Sequence, residues 1–476
     1  MKVLKFGGTS IGTVERFSNA VNIIKNKLHE DEIVVVLSAI GGVTDRLIKS
    51  IELASRGERQ YVNILENIKS IHFNFLTQLV HEPFRKETAF ELDHVISTLY
   101  SKLRGIFLVK EASKKTKDSI LPSGEYLSNS LLIGALKSAG INSRFFDSKN
   151  FIRTDSTFGE ANVNFEVTNK LINEYFYQQG RFPQSLDGKF VAVVNGFTGS
   201  DDEGNLTTLG RSGSDYTAAI IGAALKVDSV EIWTDVNGVL SADPKIVNDP
   251  FPIRELDYNE VAEIASFGAK VIFPKSMEPL QKENIPLVIL NSFNPEGEGT
   301  IIRNRRTGES DIRVVTSMKN LSLVMLEKQN SKESLEILSR LLGILSRHEL
   351  TYLLNGRTIL QQSISFITSS FTSEELIKEV QTEFSKELKS SVITKIGLIN
   401  NVAVVSIFNG KKNQYSTNRI FEVLAANKIK IHLFFHRSCI EDISIVIDEK
   451  NEEKVINLIH EELYRNETKS FGVNVA

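Results

Sequence analysis

This 476-residue sequence predicts an α/β fold: a largely parallel sheet covered by helices, followed by two ferredoxin-like α+β units. Three observations carry that expectation. Up to about Arg305, short β-branched runs alternate with helical stretches. Strands this uniformly apolar are buried on both faces, as in a parallel sheet. From Pro295 to Gly308 the chain turns polar and breaker-rich, which marks a boundary. Beyond it a strand–helix–strand–strand–helix pattern occurs twice, the mark of a duplicated unit.

In chain order, Val3 to Phe6 and Ile33 to Leu37 read as strands around a helix from Val14 to Leu28. Gly124 to Ala139 and Asp215 to Leu225 read as helices, and Phe190 to Val194, Ser229 to Thr234 and Leu287 to Leu290 as further buried strands. After the boundary come strand Leu321 to Leu326, a helix from Lys332 to His348 with leucines along one face, strands Leu350 to Leu354 and Ser363 to Thr368, and helix Ser373 to Leu388. The second pass has Val402 to Phe408, Tyr415 to Asn427, Ile429 to Phe435, Ile443 to Ile447 and Glu452 to Tyr464. The expected domains are therefore 1–305, 312–390 and 391–476.

Composition excludes several classes. With 56 basic and 59 acidic residues the formal net charge is −3, which argues against a nucleic-acid-binding surface. Cys439 is the only cysteine, so neither an intrachain disulfide nor a multi-thiolate zinc site can form. The longest apolar runs, such as Ile33 to Leu37 and Ala218 to Leu225, fall far short of the ~18 residues that span a bilayer, and the first residues carry no signal-like stretch. The expectation is a soluble, cytoplasmic chain with no membrane partner.

Six segments carry chemistry. Lys5-Phe6-Gly7-Gly8-Thr9-Ser10 sets a lysine at a strand end before a glycine turn, where backbone N–H groups and an ammonium suit a phosphate chain. A plain tight turn is the bland alternative. Ser38 to Asp45 is a small-residue loop at the end of a parallel strand, the usual ligand edge of such sheets. Ser38 and Thr44 can donate to a carboxylate or simply cap the next helix. Glu125 opens a helix, where it serves the helix dipole or grips an ammonium. Gly210-Arg211-Ser212-Gly213-Ser214-Asp215 leads into an apolar helix and suits bidentate binding of a carboxylate or phosphate. Trp233-Thr234-Asp235 runs on to Asp243-Pro244-Lys245, and Phe267-Gly268-Ala269-Lys270 ends a helix.

In this order the segments resemble the aspartokinase family, within the amino acid kinase superfamily, and the resemblance extends over nearly the whole chain. It includes Thr154-Asp155 with Phe158-Gly159, Asn291-Ser292-Phe293-Asn294-Pro295, and the two ferredoxin-like units, which look like ACT domains. The resemblance implies a phosphotransferase that uses ATP and Mg²⁺ to phosphorylate the L-aspartate β-carboxylate, at the head of lysine, threonine and methionine synthesis. Matching positions imply Lys5 and Asp215 as catalytic residues. Ser38, Thr44, Glu125, Arg211 and Ser214 fall on the aspartate side. Gly7, Gly8, Ser10, Thr234, Asp235, Lys245 and Lys270 fall on the nucleotide side. No protein side chain is assigned to the metal, and a homodimer or larger homo-oligomer through the ACT units is implied. The alternatives are a paralogue acting on another amino-acid carboxylate, or a non-catalytic amino-acid-binding regulator.

The chain departs from the family pattern at Leu240, usually tyrosine, at Lys245, usually arginine, and at Phe273, usually histidine. In the first ACT unit, Glu336-Ile337-Leu338, Leu353 and Arg357-Thr358-Ile359 replace the residues typical of lysine-regulated members. His436-Arg437-Ser438-Cys439 stands where the second unit usually has a small-residue turn. An ammonium without a carboxylate partner is costly to desolvate, so weak or absent inhibition by lysine is expected.

Overall fold

The computed structural model describes residues 1–178, 190–268, 272–306, 313–328, 334–347, 363–370, 373–409, 415–436 and 443–464. The chain divides into two compact units. The first comprises Met1–Val239, Pro252–Ala262 and Val271–Gly308; the second comprises Leu240–Phe251, Glu263–Lys270 and Glu309–Ala476.

The first unit is built on strands β1 (Lys2–Phe6), β2 (Ile33–Leu37), β3 (Asn142–Phe146) and β4 (Phe190–Asn195). A short hairpin follows, β5 (Thr198–Ser200) with β6 (Leu206–Thr208), then β7 (Ser229–Thr234), β8 (Glu255–Asp257), β9 (Leu287–Asn291) and β10 (Thr300–Arg303). All but the hairpin join one eight-stranded sheet in the order β3-β4-β2-β1-β7-β9-β10-β8. Its pairs are parallel except β9 with β10. The expected parallel sheet is thus present, with one antiparallel junction near its edge. Phe6 pairs in register with both Leu37 and Trp233, and Leu37 with Asn195, so four strands end together on one edge. The loops that leave that edge form the site.

Helices fill the crossovers: α1 (Val14–Leu28), α2 (Val43–Ser55), α3 (Tyr61–Leu79), α4 (Phe84–Val109), α5 (Lys114–Ile120), α6 (Ser123–Ser138), α7 (Phe165–Asn173), α8 (Gly213–Leu225), α9 (Tyr258–Ser266) and α10 (Glu278–Glu283). The limits of α1 follow from its ends. Thr13 caps it by accepting the Arg16 N–H at 3.3 Å, Glu15 sits in the first turn, and Lys25 and Lys27 sit in the last, all favourable to the helix dipole. Inside, Leu4, Phe6, Leu37 and Trp233 are all but inaccessible, and Phe6 stacks on Trp233 at 6.1 Å between ring centres. Burying each such side chain contributes about 1.5–3 kcal/mol.

The second unit holds β11 (Arg313–Lys328), β12 (Ser363–Ser369), β13 (Ile393–Asn409), β14 (Ile431–His436) and β15 (Ile443–Asp448), with α11 (Ser334–Arg347), α12 (Ser373–Glu383), α13 (Ser385–Lys389), α14 (Tyr415–Ala426) and α15 (Glu452–Tyr464). The strands form one antiparallel sheet, β12-β11-β13-β15-β14. The two repeats therefore share a sheet, because β11 and β13 are long enough to run through both. Each repeat keeps its own core. Val324, Leu326 and Phe366 pack with Ile337, Leu341 and Val380 in one, and Val405, Ile445 and Ile447 pack with Ile420, Val455 and Ile459 in the other. Strand Leu350 to Leu354 lies outside the described residues.

The second unit also takes in Leu240–Phe251, which the composition break at 295–308 does not foreshadow. Ala242 and Val247 enter its core, Ser241 Oγ lies 2.8 Å from His460 Nε2, and Phe251 stacks on Tyr464 at 4.5 Å. Among the described residues no helix is long and apolar enough to cross a membrane.

Candidate active site

The loops at the carboxyl edge of the sheet border an open cavity of about 1130 Å³. Eight of the residues singled out in the sequence line it: Lys5, Gly8, Ser38, Thr44, Glu125, Arg211, Ser214 and Asp215. They come from four separate segments.

Lys5 is the penultimate residue of β1, and its Nζ lies 2.6 Å from Asp215 Oδ1 in the first turn of α8. Both side chains are largely shielded, 10% and 15% exposed, so the pair is screened little by solvent. The glycine turn after β1 continues as a short 3₁₀ turn, Gly8–Ile11. A Cβ on Gly8 would meet the Ala39 carbonyl oxygen at 2.8 Å, and the Gly41 N–H donates to the Gly8 carbonyl at 3.1 Å. The two loops thus pack backbone on backbone, which only glycine permits here.

Capping is not what holds Ser38 and Thr44 in place. The N-cap of α2 is Gly42, in the left-handed region at φ 78°, with no side-chain cap. Thr44 sits inside the helix and faces the cavity. Ser128 of α6 donates its hydroxyl to the Ser38 carbonyl at 2.8 Å, tying the second loop to the helix that carries Glu125.

Glu125 is 4% exposed, and its Oε2 has no hydrogen-bond partner. Burial pushes its carboxyl up to about 8, opposed by the backbone N–H groups of Glu125 and Ala39. A buried carboxyl with an unused oxygen, lining a cavity, is suited to a cationic ligand group. Arg211, exposed in the turn Gly210–Gly213, also lines the cavity. Ser212 there has a positive φ of 53° and Gly210 one of 78°. Phe197, also in the lining, is held at φ 76°, an unusual conformation for a bulky residue that commonly marks functional loops. The Thr217 hydroxyl, which accepts the Phe197 N–H at 3.0 Å, and the Leu209 N–H, which donates to its carbonyl at 2.9 Å, pin it.

The nucleotide-side residues are gathered less completely. Gly7 stays beside Lys5: a Cβ there would sit 3.4 Å from Lys5 Nζ. Ser10 is fully buried, and its hydroxyl donates to the Trp233 carbonyl and accepts from Ser292, both at 3.0 Å. It braces the turn from behind and does not line the cavity. Thr234 and Asp235, at the end of β7, hydrogen-bond each other at 3.2 Å and lie outside the lining. Lys245 is exposed, in the segment that clusters with the second unit. Lys270 lies outside the described residues, as do Leu353, Arg357, Thr358, Ile359 and Arg437 to Cys439. Among the described residues no group of three or more His, Cys, Asp or Glu is placed to hold a metal ion.

Sequence reasoning missed five charged members of the lining, Lys114, Lys117, Asp118, Glu160 and Lys275. Each reads locally as a solvated charge, and for Asp118, 1% exposed in α5, packing shows otherwise.

The amino acid kinase family profile matches residues 1–291. A bifunctional aspartokinase/homoserine dehydrogenase of Buchnera aphidicola is 29% identical over 98% of this chain, and the match takes in 57% of that protein. A bifunctional relative from Haemophilus influenzae gives 28% identity, again over 57% of its length. The chain thus spans little more than half the length of these relatives. The lysine-sensitive aspartokinase 3 of Escherichia coli is 27% identical, with 97% of this chain and 99% of that protein covered. Among solved structures, E. coli aspartokinase III in complex with aspartate and ADP superposes with a TM-score of 0.78 at 26% identity, covering 98% of this chain and 100% of the other. The same enzyme in complex with lysine and aspartate gives 0.75 at 25% identity, covering 98% and 99%.

Proposed function

We propose, starting from the fact that this chain belongs to the amino acid kinase family, that it transfers the γ-phosphoryl group of ATP to the β-carboxylate of L-aspartate. The observation that carries this reading is the composition of one cavity. The Lys5–Asp215 pair, the buried Glu125 carboxyl with a spare oxygen and the Arg211 guanidinium all line it. Glu125 and Arg211 suit the two ends of a zwitterion, and the lysine suits the phosphates. The relatives named for aspartokinase activity support the same substrate.

The chemistry needs no general base. A β-carboxylate with a pKa of ~3.9 is already ionised at neutral pH. Transfer is opposed by repulsion between that carboxylate and the triphosphate, and fixed cations relieve it. Lys5 supplies one, held by Asp215, which we read as its organiser. Gly8 lines the cavity, where its backbone can approach a phosphate, while the Gly7 N–H is held by the Trp233 carbonyl at 3.4 Å; the N-terminus of α8 adds a favourable dipole. Ser38, Thr44 and Ser214 offer hydroxyl donors to the amino acid. Mg²⁺ would arrive on the triphosphate and neutralise charge on its oxygens.

The test is to trap the acyl phosphate with hydroxylamine, offering aspartate, glutamate and asparagine in turn. Hydroxamate from aspartate alone supports the reading, and hydroxamate from another carboxylate moves it to a paralogous kinase. ATP consumption with none of them sinks it. In the same reading Arg211 takes the α-carboxylate. Arg211→Lys keeps the charge but loses the planar fork, so the KM for aspartate should rise while that for ATP changes little. The reverse pattern would move Arg211 to the phosphates.

The reading extends to a cytoplasmic enzyme of lysine, threonine and methionine synthesis, with a catalytic domain over 1–305 and ACT-type domains over 312–390 and 391–476 that support a homo-oligomer. It includes a weak response to lysine, checked by titrating lysine alone. Half-inhibition at sub-millimolar concentration would overturn that part.

A further inference from the structure

Two carboxylates in the cavity lining are fully buried, Glu125 and Asp118, and the chemistry above uses only the first. Asp118 is 1% exposed, in the short helix α5. Its Oδ2 accepts the Gly159 N–H at 2.8 Å and the Thr208 N–H at 2.9 Å, and its Oδ1 accepts the Thr208 hydroxyl at 3.0 Å. One carboxylate thus joins three segments remote in sequence. The Ala161 N–H donates to the Thr208 carbonyl at 2.9 Å, so the loop and β6 are also tied directly.

Each tied segment leads to one end of the amino-acid site. Downstream of Asp118, the chain turns through Leu121, whose N–H donates to the Lys117 carbonyl at 3.0 Å, into α6, where Glu125 sits in the first turn. Downstream of Thr208, it passes Leu209 and Gly210 to Arg211. Gly210 packs so closely on the tied loop that a Cβ would meet Glu160 Cγ at 3.0 Å. An α-amino acid carries its ammonium and carboxylate on one carbon, so the groups that grip them must keep a fixed separation.

We propose that Asp118 is a positioning residue that sets the spacing between Glu125 and Arg211, and so the affinity for an α-amino acid. The proposal rests on the reading of the cavity as an amino-acid site. Alanine at this position would leave the Gly159 and Thr208 N–H groups buried without an acceptor. Asparagine can keep the arrangement: its carbonyl oxygen serves both N–H donors, and its amide donates to the Thr208 hydroxyl.

The experiment compares the full-length wild type with Asp118→Ala, Asp118→Asn and Thr208→Val. It measures KM for aspartate and for ATP, melting temperature, and amide hydrogen exchange at Gly159 and Thr208. Asp118→Ala should raise the aspartate KM by ~10-fold or more, the scale of a sub-ångström to 1 Å misplacement. The ATP KM should stay within about twofold, and both amides should exchange faster. Asp118→Asn should recover most of the loss, and Thr208→Val, which removes only the hydroxyl donor, should show a smaller rise. A folded Asp118→Ala with unchanged aspartate KM overturns the proposal, as does a loss of activity that tracks melting temperature alone. Should Asp118→Ala not fold, an unchanged aspartate KM in Thr208→Val overturns it. If the wild type turns over no aspartate, the substrate reading fails by itself. Unchanged exchange at Gly159 and Thr208 in Asp118→Ala would then sink the tie independently.

Discussion

Replacing Lys5 with alanine is expected to lower turnover by ~10²-fold or more, the scale for losing a main charge stabiliser at a reacting centre. The lysine is 8% exposed at the penultimate position of β1, with its Nζ 2.6 Å from Asp215 Oδ1. Removing it deletes a cation and also strips Asp215 of its partner, leaving a shielded negative charge where the triphosphate must approach. Effects of residues in one ion pair do not add. The double variant Lys5→Ala/Asp215→Asn should therefore be no slower than Lys5→Ala and can be faster, because it removes that stranded charge. Steady-state turnover with circular dichroism as a check on folding decides the matter. A folded Lys5→Ala protein retaining most of its turnover would reject Lys5 as the charge stabiliser.

Such a residue could be picked from sequence because its chemistry is local: a lysine, two glycines and a strand end are contiguous. The same holds for Glu125 and for Gly210 to Asp215. The fold was legible where a pattern repeats along the chain. The limits of α1 and β2 agree with the sequence to the residue, since a cap, a heptad-like stripe and a β-branched run mark them. The helices α3 and α4 were not drawn from sequence, although Leu92, Ile96, Leu99, Leu103 and Ile106 form a helical stripe that is buried. Sharing of one sheet by the two repeats was not legible, because it depends on how far β11 and β13 extend past their repeat boundaries.

Two site residues show where local reading stops. Ser10 follows the glycine turn and falls on the nucleotide side by resemblance, and in the structure its hydroxyl, on the 3₁₀ turn, donates to the Trp233 carbonyl. Asp118 follows Lys114, Lys115 and Lys117, a charged run with no local sign of burial. Its partners, Gly159 and Thr208, lie 41 and 90 positions away, and no local pattern encodes them. Where a side chain's role arises from donors brought together by the fold, composition and spacing carry no trace of it.

Glu125→Gln should separate binding from stability more clearly than any other change in this cavity. In the free protein, burial holds the Glu125 carboxyl near 8 against an ordinary value of 4.5. At neutral pH the ligand-free protein therefore carries it mostly protonated, and only the ionised form can pair with a substrate ammonium. Affinity for aspartate should rise with pH toward 8 and level off above it, with binding at pH 7 accompanied by proton release. Glutamine cannot ionise, so the variant should lose this pH dependence and bind aspartate ~10²-fold more weakly, the scale for leaving a buried charge without its partner. Stability should move the other way. A raised folded-state pKa means that the folded protein binds more protons than the unfolded chain between about 4.5 and 8, so wild-type stability falls as pH rises through that window. The glutamine variant escapes that fall. At pH 8 without ligand it should melt above wild type, by about 2–4 °C for each ~1 kcal/mol recovered, and near pH 5 the two should converge. Calorimetric titration with aspartate and thermal melts at pH 5, 6.5 and 8 read both effects. A variant that bound aspartate as wild type does would take the ammonium contact away from Glu125, and a melting difference independent of pH would show that burial of its charge is not what costs the stability.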